Sequence, residues 1–188
     1  QSIPKPQTKK LFTPLKSSLA GINHKETLYD DYEVQPLLPQ KHSQLGPGMA
    51  WGDIDNDGRD DLLVSELYSS TGLYHSGEIH WWSGHEDGYL FKRGFVTGTY
   101  ANAHFGYNIE AAGDINQDGS DDFLVMSLGS SSNYNGKVNL ILGNINGGWN
   151  MDQILAQGSA GEHVGMSLLA GMDLDGDGMG DILYSSRD

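Results

Sequence analysis

The 188-residue chain carries 25 acidic and 11 basic residues, a formal net charge of −14, which argues against nucleic acid or an anionic membrane surface as a partner and favours cations or basic surfaces. Cysteine is absent, so a disulfide framework and a thiolate metal site are excluded, and any metal must be held by oxygen or imidazole. The 26 glycines, about twice the ~7% average usage, keep company with Asn, Ser and Asp as turns between short strands require, and no apolar run approaches the roughly 20 residues of a membrane-spanning helix.

Residues 1–44 hold a basic start (KPQTKK), several prolines, among them Pro4, Pro6, Pro14 and Pro36, and the mixed stretch HKETLYDDYEVQPLLPQ. They read as an extended arm, laid along the rest of the chain or left as a free linker. A removed signal peptide or a cut from a longer chain would each explain a start at Gln1.

From residue 45 the chain repeats. WGDIDNDGRDDLLVS (from Trp51), AGDINQDGSDDFLVM (from Ala112) and GMDLDGDGMGDILYS (from Gly171) align, with leading aspartates Asp53, Asp114 and Asp173 spaced by 61 and 59 residues. The match extends to SGEIHWWSG against NGKVNLILGN, and to HFGYNIEAAGD against HVGMSLLAGMD; the first copy's leader, QLGPGMAWGD, fits only with one residue deleted. Each unit predicts a strand entering the acidic loop, a strand leaving it (Leu62 to Val64, Phe123 to Val125, Ile182 to Tyr184), a polar turn and a third strand. Gly88 to Val96 and Met151 to Gly158 supply a fourth. Four short antiparallel strands per repeat is the pattern of a β-propeller blade, so the expectation is an all-β fold of blades at about 45–103, 104–162 and an incomplete 163–188.

Numbered from its first aspartate, each loop has oxygen side chains at positions 1, 3, 5 and 9: Asp53, Asp55, Asp57 and Asp61; Asp114, Asn116, Asp118 and Asp122; Asp173, Asp175, Asp177 and Asp181. Position 6 is always glycine (Gly58, Gly119, Gly178), where a sharp turn needs a permissive backbone, and the carbonyls of Arg59, Ser120 and Met179 at position 7 are free to point inward. Hard oxygen donors in a flexible ring of six or more suit Ca²⁺ better than Mg²⁺, so three Ca²⁺ sites are expected. An aspartate-rich solvated turn would explain one loop, but not three at near-constant spacing. An EF-hand is rejected, because its bidentate Glu at position 12 is replaced by Val64, Val125 and Tyr184 inside apolar strands. Carboxylates packed this closely repel one another unless a cation lies between them, and extracellular modules of this kind bind Ca²⁺ at roughly 10⁻⁴ to 10⁻³ M, which favours a secreted, periplasmic or surface location.

FGYNIEAAGDINQDGSDDFLV followed by NGKVNLILGN resembles an FG-GAP repeat of the integrin-alpha type β-propeller, with Phe105-Gly106 and the Asp114 to Asp122 loop as its diagnostic parts. The third copy has Val164-Gly165 instead, and none keeps a Gly-Ala-Pro after the loop strand. The first copy is more similar to secreted bacterial repeat proteins of the VCBS and ASPIC/UnbV kind. The resemblance implies a calcium-stabilised propeller displayed outside the cell.

His104 and His163 fall at equivalent repeat positions, which fits packing between blades rather than catalysis. Trp81, Trp82, Trp149 and Tyr107 could line a sugar-binding surface, although Trp81 and Trp82 must point to opposite sides of a strand, which puts at least one in the blade core. No catalytic constellation stands apart from the acidic loops. The expected function is therefore a non-enzymatic, extracytoplasmic calcium-binding scaffold or adhesion module, its partner a protein or further copies that complete the propeller. A carbohydrate-binding module, or the propeller domain of a polysaccharide-active enzyme, is the alternative, with glycans as partners.

Overall fold

In the computed structural model the described residues are 47–129, 135–144 and 148–186, side chains excepted at 148–153. The expected arm at residues 1–44 lies outside them. The ten elements among the described residues are all strands, arranged in chain order as three antiparallel sheets. The first contains β1 (Met49–Gly52), β2 (Asp61–Glu66), β3 (Glu78–Gly84) and β4 (Leu90–Thr97). The second contains β5 (Asn108–Gly113), β6 (Asp122–Ser127), β7 (Lys137–Asn144) and β8 (Gly148–Gln157), and the third pairs β9 (Leu168–Met172) with β10 (Asp181–Tyr184). These are consecutive propeller blades in an unclosed array, their first strands β1, β5 and β9 side by side.

Strand alternation assigns the two faces of the second sheet to different neighbours. Phe123 and Val125 of β6, with Phe105, Ile109 and Ile141, pack on Ala50, Ile54, Leu63, Ile79 and Trp81 of the first blade. Leu124 and Met126 of the same strand turn the other way, joining Ala112, Val138 and Leu140 against Val164 and Leu168 of the third. All six residues of β6 are buried as a result.

The Phe-Gly step makes this stacking possible. Phe105 is inserted under the preceding blade, its N–H donating to the Ser76 carbonyl at 2.9 Å, and Val164 repeats the contact with Asn135 at 3.0 Å. The backbone passes so close that a Cβ at Gly77 would lie 2.3 Å from the Phe105 nitrogen, and one at Gly136 2.3 Å from that of Val164. Both glycines have left-handed φ, at 79° and 70°, so geometry and space exclude any side chain there.

The residue missing from the first copy is a β-bulge. The β5–β6 register slips between Ala111 and Gly113, leaving Ala112 over, and the β9–β10 register slips between Asp181 and Ile182, whereas β1–β2 runs from Met49↔Val64 to Gly52↔Asp61 without a break. One blade reaches its loop straight and the other two with the added bend of a bulge.

Phe123→Ala, which empties the interface between the first two blades, should cost about 3 to 5 kcal/mol in urea denaturation. Phe91→Ala, at a site 50% exposed, should cost less than about 1 kcal/mol.

Candidate metal centre

The acidic loops occupy the β1–β2, β5–β6 and β9–β10 connections, and each is built by the same hydrogen bonds. The carboxylate at position 1 accepts from the backbone N–H of position 6: Gly58 to Asp53 Oδ2 at 2.8 Å, Gly119 to Asp114 Oδ2 at 2.8 Å, Gly178 to Asp173 Oδ2 at 3.0 Å. Position 9 accepts from position 2: Ile54 to Asp61 at 3.1 Å, Ile115 to Asp122 at 2.9 Å, Leu174 to Asp181 at 2.7 Å. The carboxylate at position 5 receives the N–H of position 7, from Arg59, Ser120 and Met179 at 2.8 to 2.9 Å. A backbone wrapped around its own carboxylates holds each loop in the same turn.

The position-6 glycines have φ of 82°, 95° and 86°, as the turn requires. Sequence reasoning missed that position 4 is left-handed as well, at Asn56, Gln117 and Gly176, with φ of 53°, 62° and 83°. Asn and Gly at two of these positions were the available signal.

In the first loop one carboxylate oxygen from each of Asp53, Asp55 and Asp61 lies within 4.8 Å of the others, and the third loop brings Asp173, Asp175 and Asp177 together in the same way. Asp57 of the first loop is engaged by Arg59, whose Nη1 donates at 3.1 Å. In the second loop Asn116 stands beside Asp118, its amide donating at 3.0 Å, and Asp118 N–H reaches Asp114 Oδ1 at 3.0 Å.

Position 9 anchors each of the first two loops to its third strand. Asp61 accepts from Gly84 N–H at 2.9 Å and Asp122 from Gly143 N–H at 3.0 Å, and both carboxylates are buried. Burial pushes the Asp61 carboxyl up to about 6; the Gly84 amide opposes this, the Asp55 charge adds to it, and the Trp81 indole and Ile54 amide oppose it. Asp122 is raised by the same burial, and Asp55 by burial and then by repulsion from Asp57 and Asp53.

A cation fits this donor set. Asp55 Oδ1 is buried without a hydrogen-bond partner, in an all-oxygen cluster where burial disfavours the charged forms of Asp55 and Asp61. A divalent ion would supply the missing contact and the neutralising charge.

The other singled-out residues fall away from this centre. Trp81 is 2% exposed in the core, Trp82 is half-buried, Tyr107 is 37% exposed, and the Trp149 side chain lies outside the described residues. Past the opposite end of β2, an aromatic group that was not foreseen gathers on the surface. Tyr68 meets His75 and His104 edge-on, at 5.5 and 5.1 Å, and Tyr74 stacks on His75 at 3.9 Å. His104 thus packs on the preceding blade's connection, in keeping with its equivalent place in the repeat.

No established family profile matches the chain. It is 29% identical over 161 residues to integrin alpha pat-2 of Caenorhabditis elegans, covering 76% of this chain and 13% of that protein. Against mouse integrin alpha-E it is 30% identical over 164 residues, covering 79% of this chain and 14% of the relative. Phosphatidylinositol-glycan-specific phospholipase D of mouse is 31% identical over 182 residues, covering 90% and 21% respectively. The chain therefore spans only about an eighth to a fifth of the length of these curated relatives.

The raised Asp61 carboxyl sets a pH dependence for the chelated protein. The fold holds that proton more tightly than the unfolded chain does, where the value is near 3.8, so between about pH 4 and pH 6 unfolding releases protons. The contribution of this group to stability is fully present below about pH 4 and is lost as pH rises through about 6. Asp122 and Asp55 act in the same direction. Urea midpoints in chelator should fall across this window, the fall should shrink in Asp61→Asn, and saturating Ca²⁺ should abolish it.

Proposed function

Because the chain is an integrin-alpha-type repeat protein, we propose that it is a non-enzymatic, extracytoplasmic calcium-binding propeller module with a scaffold or adhesion role. The observation that carries the reading is the threefold recurrence of one hydrogen-bonded acidic loop, with an unpartnered carboxylate oxygen buried in the first copy. The ligand side chains are those at positions 1, 3, 5 and 9 of each loop, with the carbonyls of Arg59, Ser120 and Met179 completing the shells. Bound Ca²⁺ neutralises the carboxylates and fixes the turn from one strand to the next.

Sites of this class bind at roughly 10⁻⁴ to 10⁻³ M, so they are filled outside the cytosol and empty within it, which supports the extracytoplasmic assignment. The phospholipase D relative is about five times as long as the segment matched, and its activity is not carried over. The partner is a protein, or further blades, that covers the outer face of the first sheet, where Met49 and Trp51 are 59% and 52% exposed. Their sheet face corresponds to the one that the second blade lays against the first.

At 10 mM, Ca²⁺ acting on three such sites should stabilise the fold by about 1.5 to 2.5 kcal/mol each and raise the melting temperature by roughly 10 to 20 °C. Chelator should reverse the shift, and Asp53→Ala combined with Asp114→Ala should remove most of it. An unchanged melting curve, with no heat in calorimetric titration, would refute the calcium assignment.

A carbohydrate-binding role has one observation in its favour, the surface group of Tyr68 (67% exposed), Tyr74 (64%) and His75. A glycan array is the check: Tyr74→Ala should abolish any binding that belongs to this surface while leaving Ca²⁺ loading intact.

A further inference from the structure

The first two acidic loops are joined across the blade boundary. Asp121, at position 8 of the second loop, accepts the N–H of Asp53 on Oδ2 at 2.8 Å and donates its own N–H to the Asp53 carbonyl at 2.8 Å. Asn144 N–H adds a bond to the Ile54 carbonyl at 2.9 Å. A Cβ at Gly52 would lie 2.9 Å from Asp121 Oδ2, and one at Gly119 would lie 2.6 Å from the Asn56 amide nitrogen. The leading aspartate of the first loop is thus positioned by a residue set between the ligand positions 7 and 9 of the second.

The next boundary lacks this contact. Gly180 occupies position 8 of the third loop, and at Gly113, the counterpart of Gly52, a Cβ would meet nothing within 4 Å. Asp60 holds position 8 of the first loop but is exposed.

We propose that Asp121 couples the first two sites, so that cation binding at the second loop raises the affinity of the first, while the third loop fills independently. Ordering the second loop fixes Asp121, and Asp121 fixes the Asp53 backbone, so the first loop has less left to order when its ion arrives. The coupling is reciprocal, because linkage requires the same factor in both directions. The inference rests on the calcium reading above.

The test is a Ca²⁺ titration of the full chain followed by the backbone amide resonances of Gly58, Gly119 and Gly178, each of which donates to the leading carboxylate of its own loop. In Asp121→Ala the Gly58 midpoint should rise about fivefold with Gly178 unmoved, and Asp60→Ala should leave Gly58 where it was. A Gly58 midpoint unchanged in Asp121→Ala overturns the coupling, and so does an equal shift of Gly178, which would mark general destabilisation. Asp114→Ala, which disables the second site itself, serves where Asp121→Ala does not fold. It should raise the Gly58 midpoint with Gly178 unmoved, and no change at Gly58 also overturns the proposal. If none of the three amides responds to Ca²⁺ in the unmodified chain, the calcium reading fails and the coupling with it, an outcome distinct from three responding but independent amides.

Discussion

The burial of β6 from both sides is the constraint on which the rest depends. A twisted sheet of four short strands has two faces and, standing alone, can cover neither. Here β6 sends Phe123 and Val125 into one interface and Leu124 and Met126 into the next, so the second blade is stabilised by its neighbours as much as by its own hydrogen bonds. Stability in such an array is a sum of sheet and nearest-neighbour terms. The counterparts of β6 in the flanking blades show the gradient: β2 ends on an exposed Glu66, and β10 has no fully buried residue. The glycines at 77 and 136 permit the stacking, because each lets the next blade's first turn lie directly on its backbone.

The acidic loops are attached to this stack rather than added to it. Asp61 and Asp122 are buried at the start of the second strand and hydrogen-bond the end of the third, through Gly84 and Gly143. The aspartates at position 9 therefore close the open ends of the first two sheets. Charge at these points is costly where burial is greatest, which is why the two carboxyls tied to the third strand are among those pushed upward.

Much of this was legible in the sequence because the repeat makes each assignment three times. The strands leaving the loops, the fourth strands near Gly88 to Val96 and Met151 to Gly158, and the glycines at position 6 all follow from spacing and turn chemistry. Even the residue deleted from the first leader had meaning, as the bulge at Ala112 and Gly171 that the first blade lacks. Asp121 was not legible. In the run SDD it looks like one more solvated acid, and its role depends on a partner 68 residues away. The surface group of Tyr68, Tyr74 and His75 was hidden for a similar reason: its members lie in connections, where no periodicity marks a face.

Trp81 shows what this arrangement does to the optical behaviour of the protein. Its buried indole lies beside the Asp61 carboxylate, so a shielded fluorophore feels the charge state of one particular loop. The matching position in the second blade is Leu140, which is spectroscopically silent. Of these two matched core positions only the first carries an indole, so the charge of the first loop reaches a buried fluorophore where that of the second meets an aliphatic side chain.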